Sequence, residues 1–289
     1  MVMCSGGIKT YLSLIKFSHT VFALPFAIIG YFVAVDKTGA LDWKVLALVV
    51  LAMIFARSAA MAFNRYLDRD IDKLNPRTKN REIPAGKIAP AKALWVTVMN
   101  SVLFIIVTYF INDLVFYLSP VALFVILFYS YTKRFTSFAH FVLGAGLGLA
   151  PIGAYLCVVQ RFDATPVLLS FLVLSWVSGF DIIYALQDEE FDRKYGLKSI
   201  PAMLGMAKSI GLSIGLHVIS AGIIVYIGVL NAYGLLYWVG AAIFIFFLIY
   251  QHVIVGKGDL SKINLAFFTA NGISSMVYMI FYLAELLLR

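Results

Sequence analysis

The chain has 289 residues, is 62% hydrophobic and only 13% charged, and carries a formal net charge of +8. So few charges cannot cover a water-soluble globule of this size; a soluble enzyme is excluded and the sequence reads as an all-α integral membrane bundle. The basic excess does not point to nucleic acid, because no soluble basic domain or basic amphipathic helix goes with it.

A spanning helix needs about 20 apolar residues, and nine stretches qualify: 16–35, 44–64, 91–112, 114–131, 138–158, 165–187, 209–228, 233–254 and 264–286. Short connections join most of them, which predicts one transmembrane domain over residues 1–289 with no soluble appendage. Residues 1–15 are mixed and run into a full-length span, so no cleavable signal is expected. With the N-terminus inside, 18 of the 23 basic residues fall on that side, four on the other, and Arg57 lies within a span. The positive-inside rule then puts the loops after spans two, four, six and eight in the cytoplasm, in a cell or inner membrane. Cys4 and Cys157 lack ligand-type spacing and read as free thiols.

The first span begins at Lys16, which either reaches a phosphate or snorkels to the headgroups, and passes through Pro25, which removes a backbone donor. His19 reads as an interfacial hydrogen-bonding residue. The second span ends on Asn64, Asp68 and Asp72, four residues apart and so stacked on one helix face. Carboxylates at a membrane boundary are costly unless paired, hydrated or metal-bound. Arg57 is seven residues earlier on that face, about 10 Å deeper at 1.5 Å per residue. The sixth span repeats the pattern with Asp188 and Asp192, and Asp181 stands seven residues before Asp188. Arg57 and Asp181 either pair across two helices or form a recognition point for an acceptor's carboxylate or phenol oxygen. Asp70 and Glu190 point away from the Asp faces and read as solvated; Glu189 is intermediate.

Each Asp row is followed by a basic loop and an Ile-Pro-Ala tripeptide, at 83–85 and 200–202, which predicts a parallel internal repeat whose two rows face each other across a cavity. Facing pairs of hard oxygens suit Mg²⁺, which keeps waters and takes further oxygens from substrate phosphates. Arg81, Lys133, Arg134 and Lys198 lie on the same side and join Lys16 as candidate diphosphate ligands. The last three spans are aromatic-rich, which suits either a wall for an isoprenoid tail or simple lipid-facing packing.

The pattern of Asn64, Asp68 and Asp72, with Asp188 and Asp192, resembles the UbiA-type intramembrane prenyltransferases; so do Asn80-Arg-Glu-Ile-Pro-Ala-Gly86, Tyr129-Ser-Tyr-Thr-Lys-Arg134 and Tyr184-Ala-Leu-Gln-Asp188. Lys16-Phe-Ser-His-Thr-Val-Phe-Ala-Leu-Pro-Phe26 and Met61-Ala-Phe-Asn-Arg65 place it nearest to the 4-hydroxybenzoate polyprenyltransferases. The resemblance implies nine transmembrane helices around a central cavity, two Mg²⁺ held by the Asp motifs against the diphosphate of a polyprenyl donor, and a tail that leaves laterally into membrane lipid. Some members carry Asp directly after the motif Asn, where this chain has Arg65.

The expected chemistry is ionisation of the allylic diphosphate, with Asp68, Asp72, Asp188 and Asp192 as the catalytic metal-holding set, and capture of the cation by an aromatic acid. Asp188 or Asp181 would take the ring proton. Other acceptors are dihydroxynaphthoate, as in menaquinone synthesis, or a haem or chlorophyll-type ring. From a different class, a transporter would use Arg57 and Asp181 as coupling groups.

Overall fold

The computed structural model describes residues 13–15, 24–255, 263 and 269–289. Among the described residues all regular secondary structure is helical. In chain order the helices are α1 (Leu24–Thr38), α2 (Trp43–Leu74), α3 (Pro90–Tyr109), α4 (Asp113–Thr132), α5 (Ala139–Val159), α6 (Ala164–Ala185), the short α7 (Glu189–Tyr195) and α8 (Ile200–Leu204), then α9 (Met206–Leu230), α10 (Leu235–Val255) and α11 (Asn271–Leu288). Among the described residues eight helices are long and apolar enough to cross a membrane. α1, described from Leu24, packs among them as a ninth, and the beginning of its expected span lies outside the described residues. Apolar side chains such as Val102, Phe124, Val218 and Ile249 cover the outer surface, as lipid requires.

α2 is the element that carries the chain out of the apolar layer. Asp42 caps it, accepting from the backbone of Lys44 and Val45, and the helix then runs 32 residues, about 48 Å at 1.5 Å per residue. That is longer than a hydrocarbon core of about 30 Å, so its last turns, with Asp68 and Asp72, stand beyond it. The expected second span stopped at residue 64 because charges begin there; the helix continues because those charges are paired, as described below.

α6 is buried on most of its surface and sits at the middle of the bundle. Trp176 packs with Phe26 of α1 and Phe244 of α10, and its indole N–H donates to Asn271 of α11 (3.0 Å). Ser175 and Ser220 share a hydrogen bond (2.8 Å), and Ser213 donates to the Gly179 carbonyl (2.7 Å), tying α6 to α9 with small polar groups. Tyr233, Tyr237, Tyr278 and Tyr282 form a ring cluster between α10 and α11. At the end of the bundle away from the Asp rows, Lys37 (2.6 Å), Tyr155 and Arg161 converge on Asp163. The hydrogen bonds from Lys37 and then Tyr155 hold that carboxyl down at about 2.

α1 and α5 cross at Gly30. A Cβ there would lie 2.1 Å from the Pro151 carbonyl oxygen, so only glycine permits the approach. Gly30→Ala should therefore lower the unfolding midpoint of the detergent-solubilised protein, by roughly 1–3 kcal/mol of overpacking. Gly215→Ala, at a position on α9 with no neighbouring atom within 4 Å, should leave it unchanged or higher.

Candidate active site

Asn64, Asp68 and Asp72 line one polar chamber of about 190 Å³ together with Asp181, Asp188, Asp192, Lys133 and Lys198. The first row is a helix row, as its spacing of four predicts. The second is not. A 3-10 turn at Leu186–Asp188 separates α6 from α7, so Asp188 sits on the turn and Asp192 on the short helix that ends at Gly196, which adopts φ 70°. The Gln187 side chain donates to the Tyr184 carbonyl (3.1 Å) at this break, and the Leu186 backbone N–H donates to the same carbonyl.

Asp68, Asp72 and Asp188 each meet a basic side chain from another segment. Lys133 donates to Asp68 Oδ2 (2.5 Å), which also accepts from Asn64 (3.1 Å), and Arg134 stands 3.6 Å from Asp68 Oδ1. Arg81 reaches back to Asp72 with one Nη on both oxygens (2.7 and 2.9 Å). Arg77 takes Asp188 through Nε (2.9 Å) and Nη2, and its other Nη donates to Tyr184 Oη (3.0 Å). Asn75 donates to the same Asp188 oxygen (2.9 Å), so the loop after the first row is fastened to the second row. Burial alone would weaken the hold of Arg77 on its proton, but Asp188 and then Tyr184 outweigh it and raise the guanidinium above its ordinary value.

Asp68 Oδ1 is buried with no hydrogen-bond partner, the cost of which calls for a ligand. Its hard oxygen and those of Asp72, Asp188 and Asp192 fit a hard divalent cation. Among the described residues no three His, Cys, Asp or Glu side chains close into a cage by themselves; phosphate oxygens and water would have to complete the coordination.

Beneath the chamber lies an elongated apolar cavity of about 720 Å³, lined by residues of α1 to α6 and the loop after α2. Asn64, Arg77, Arg81, Tyr129, Asp181 and Tyr184 line both spaces, which makes them the threshold between charge and grease. Arg57 lines the apolar cavity, and its Nε is buried without a partner. None of the lining residues belongs to α9, α10 or α11; the aromatics of those helices that were candidate tail contacts, such as Tyr237 and Phe244, fill the core instead.

Of the two alternatives for Arg57 and Asp181, the ion pair is not formed. Asp181 bonds His140 Nδ1 (2.7 Å), and Arg57 faces the cavity. Arg134 does not line the chamber; its guanidinium donates to the Leu67 (2.7 Å) and Ser130 (3.0 Å) carbonyls behind Asp68. Lys198 does line it, anchored by its backbone N–H on the Lys133 carbonyl (2.9 Å). Lys16 and His19 lie outside the described residues. Asp70 is exposed, as its helical phase predicts, and Glu189, whose phase is intermediate, is paired with Arg193 (2.9 Å). Sequence reasoning missed Asn75, Arg77, Tyr129, Tyr184 and His140. Tyr184 had a signal: it falls three residues after Asp181 and four before Asp188. Arg77 had only its place in a basic loop.

The UbiA prenyltransferase family profile matches residues 23–273. The chain belongs to that family. It is 28% identical over 240 residues to the 4-hydroxybenzoate octaprenyltransferase of Pasteurella multocida (strain Pm70), covering 83% of this chain and 82% of that one. An apo UbiA homologue from Aeropyrum pernix K1 superposes with a TM-score of 0.84 at 27% identity, covering 92% of this chain and 98% of that one. A UbiA homologue from Archaeoglobus fulgidus bound to DMAPP and Mg²⁺ shares the fold, with a TM-score of 0.76 at 20% identity over 97% of this chain and 100% of its own. As a UbiA prenyltransferase the chain is a group-transfer enzyme, and the transport reading lapses.

The Arg81–Asp72 pair offers a direct check on the chamber. Arg81→Ala strands a buried carboxylate and should cost roughly 1–3 kcal/mol of stability, read as a lower denaturation midpoint. Asp72→Asn added to Arg81→Ala should recover part of that loss, because the uncompensated charge is gone.

Proposed function

We propose that this enzyme transfers a polyprenyl group from a polyprenyl diphosphate to an aromatic acid, 4-hydroxybenzoate before others, in quinone synthesis, with Mg²⁺ as cofactor. The observation that carries the reading is the junction itself: five carboxylates and four lysine or arginine side chains in a polar chamber that opens onto about 720 Å³ of apolar cavity with an unpaired guanidinium nitrogen, that of Arg57, in its wall. The names of the Pasteurella relative and of the Archaeoglobus homologue's ligands agree with it.

Asn64, Asp68, Asp72, Asp188 and Asp192 would hold the metal. When bound, Mg²⁺ supplies positive charge against the diphosphate as the allylic C–O bond breaks. Arg77, Arg81 and Lys133, now paired with acids, would exchange those partners for phosphate oxygens, Arg by its planar fork and Lys as a point charge; Lys198 is a fourth candidate. The apolar cavity would take the isoprenoid and keep water from the allylic cation. Arg57 would hold the acceptor carboxylate, presenting the ring to the cation at the threshold. The basic loops around the chamber favour its placement on the cytoplasmic face of a cell or inner membrane.

The test is prenyl transfer by purified protein given Mg²⁺, a polyprenyl diphosphate and 4-hydroxybenzoate, followed by mass spectrometry, with dihydroxynaphthoate in parallel. C-prenylated benzoate that disappears with EDTA is expected. Product from the naphthoate alone would move the acceptor and keep the mechanism. Asp68→Ala and Asp188→Ala should each lower kcat by at least 10²–10³-fold, the scale of losing preorganised charge stabilisation. An active Asp68→Ala enzyme would remove the metal assignment. Arg57→Ala should raise the acceptor KM about 10–100-fold, equivalent to about 1.4–2.8 kcal/mol, with little change for the diphosphate.

A further inference from the structure

Asp68, Asp72 and Asp188 are each held by a lysine or arginine, whereas Asp181, among the described residues, is held by a histidine. His140 lies in the first turn of α5 and exposes only 5% of its surface. Its carbonyl accepts from Ser178 Oγ (3.2 Å), one turn before Asp181 on α6. The two helices are pressed together here: a Cβ at Gly144, one turn along from His140, would come within 2.4 Å of Ser178 Oγ and 2.5 Å of the Leu174 carbonyl. The imidazole therefore has little room to turn.

Its two ring nitrogens have different partners. The Ile200 backbone N–H points at Nε2 (3.4 Å), so Nε2 accepts and the ring proton belongs on Nδ1, from which it is donated to Asp181 Oδ2 (2.7 Å). One carboxylate oxygen is thus occupied and the carboxylate plane fixed. Asp181 also lines both the polar chamber and the apolar cavity, where an acceptor ring held by Arg57 and an allylic group held by the chamber would meet.

We infer that His140 is a positioning residue for Asp181, and that Asp181 is the group that takes the ring proton. This rests on the transfer reaction proposed above. After the new C–C bond forms, the ring carbon's C–H bond breaks, its electron pair restores the aromatic sextet, and the proton passes to the Asp181 carboxylate, which releases it to water from the chamber. His140 donates one hydrogen bond throughout and is not consumed. Its tie to Ile200 also sets Asp181 in register with the loop that follows the second Asp motif.

The experiment compares steady-state transfer by His140→Leu, His140→Asn and the unsubstituted enzyme, and repeats His140→Leu in an Asp181→Asn background. His140→Leu should lower kcat about 10–100-fold with KM for the prenyl diphosphate within about twofold, since diphosphate contacts are untouched. His140→Asn, whose amide N–H can stand where Nδ1–H stood, should recover most of the loss. In the Asp181→Asn background His140→Leu should add little, as expected for residues acting as one unit. If His140→Leu cannot be extracted folded, the comparison of His140→Asn with His140→Gln, whose amide reaches the Nε2 position instead, keeps the question open to measurement: Asn should be the faster. Transfer by His140→Leu within twofold of the unsubstituted enzyme, additive losses in the double variant, or Gln equal to Asn would overturn the inference alone. No transfer by the unsubstituted enzyme would overturn the reading on which it rests.

Discussion

A carboxylate at the edge of a bilayer has to be compensated, and the cytoplasm-facing architecture proposed for this chain follows from that one demand. Asp68, Asp72 and Asp188 are compensated from a distance, by Lys133 at the end of α4 and by Arg81 and Arg77 in the loop after α2. The same contacts that make the charges tolerable therefore also close the top of the bundle: Asn75 and Arg77 fasten the loop after the first Asp row to Asp188 of the second, and Lys198 hangs on Lys133 by its backbone. Removing an acid would loosen a loop, and removing a base would strand an acid. Site and scaffold are one set of interactions at this end.

Below it the logic changes. The threshold residues Asn64, Tyr129, Asp181 and Tyr184 touch both the charged chamber and the apolar cavity. A substrate with an anionic head and an apolar tail would fit across that boundary in only one orientation, because reversing it would desolvate the charge and expose the tail. Arg57 breaks the uniformity of the cavity wall, and the proposed acceptor role for it rests on its lack of a hydrogen-bond partner at Nε.

The helix count and the first Asp row were legible because apolar length and a spacing of four are periodic properties of the chain itself. Asn64, Asp68 and Asp72 could be placed on one face without any knowledge of their neighbours. The contacts of Arg77 and His140 were not legible for the converse reason: an ion pair 111 residues apart, or an imidazole meeting a carboxylate 41 residues on, leaves no period in the sequence. The second Asp row was read as continuous helix because its spacing also allows one; the 3-10 turn at Leu186–Asp188, where Gln187 donates to the Tyr184 carbonyl, leaves no period in the sequence. Arg57 and Asp181 share the same offset from their rows, which suggested a pair, but the facing helix brought His140 to Asp181 first.

The cavities touch α1 to α6 and leave α9, α10 and α11 outside. α10 and α11 hold Trp176 and Phe26 in place through Phe244, Asn271 and Tyr278, and α9 ties to α6 through Ser213 and Ser220, so they act on the chemistry by keeping α1 and α6 where they are. Amino-acid changes in this half would register as how much enzyme survives in the membrane, since modest losses of stability are converted by cellular quality control into lower abundance. The molecules that do survive would turn over at an ordinary rate. The bundle thus divides its inheritance: one half is answerable to the reaction, the other to persistence.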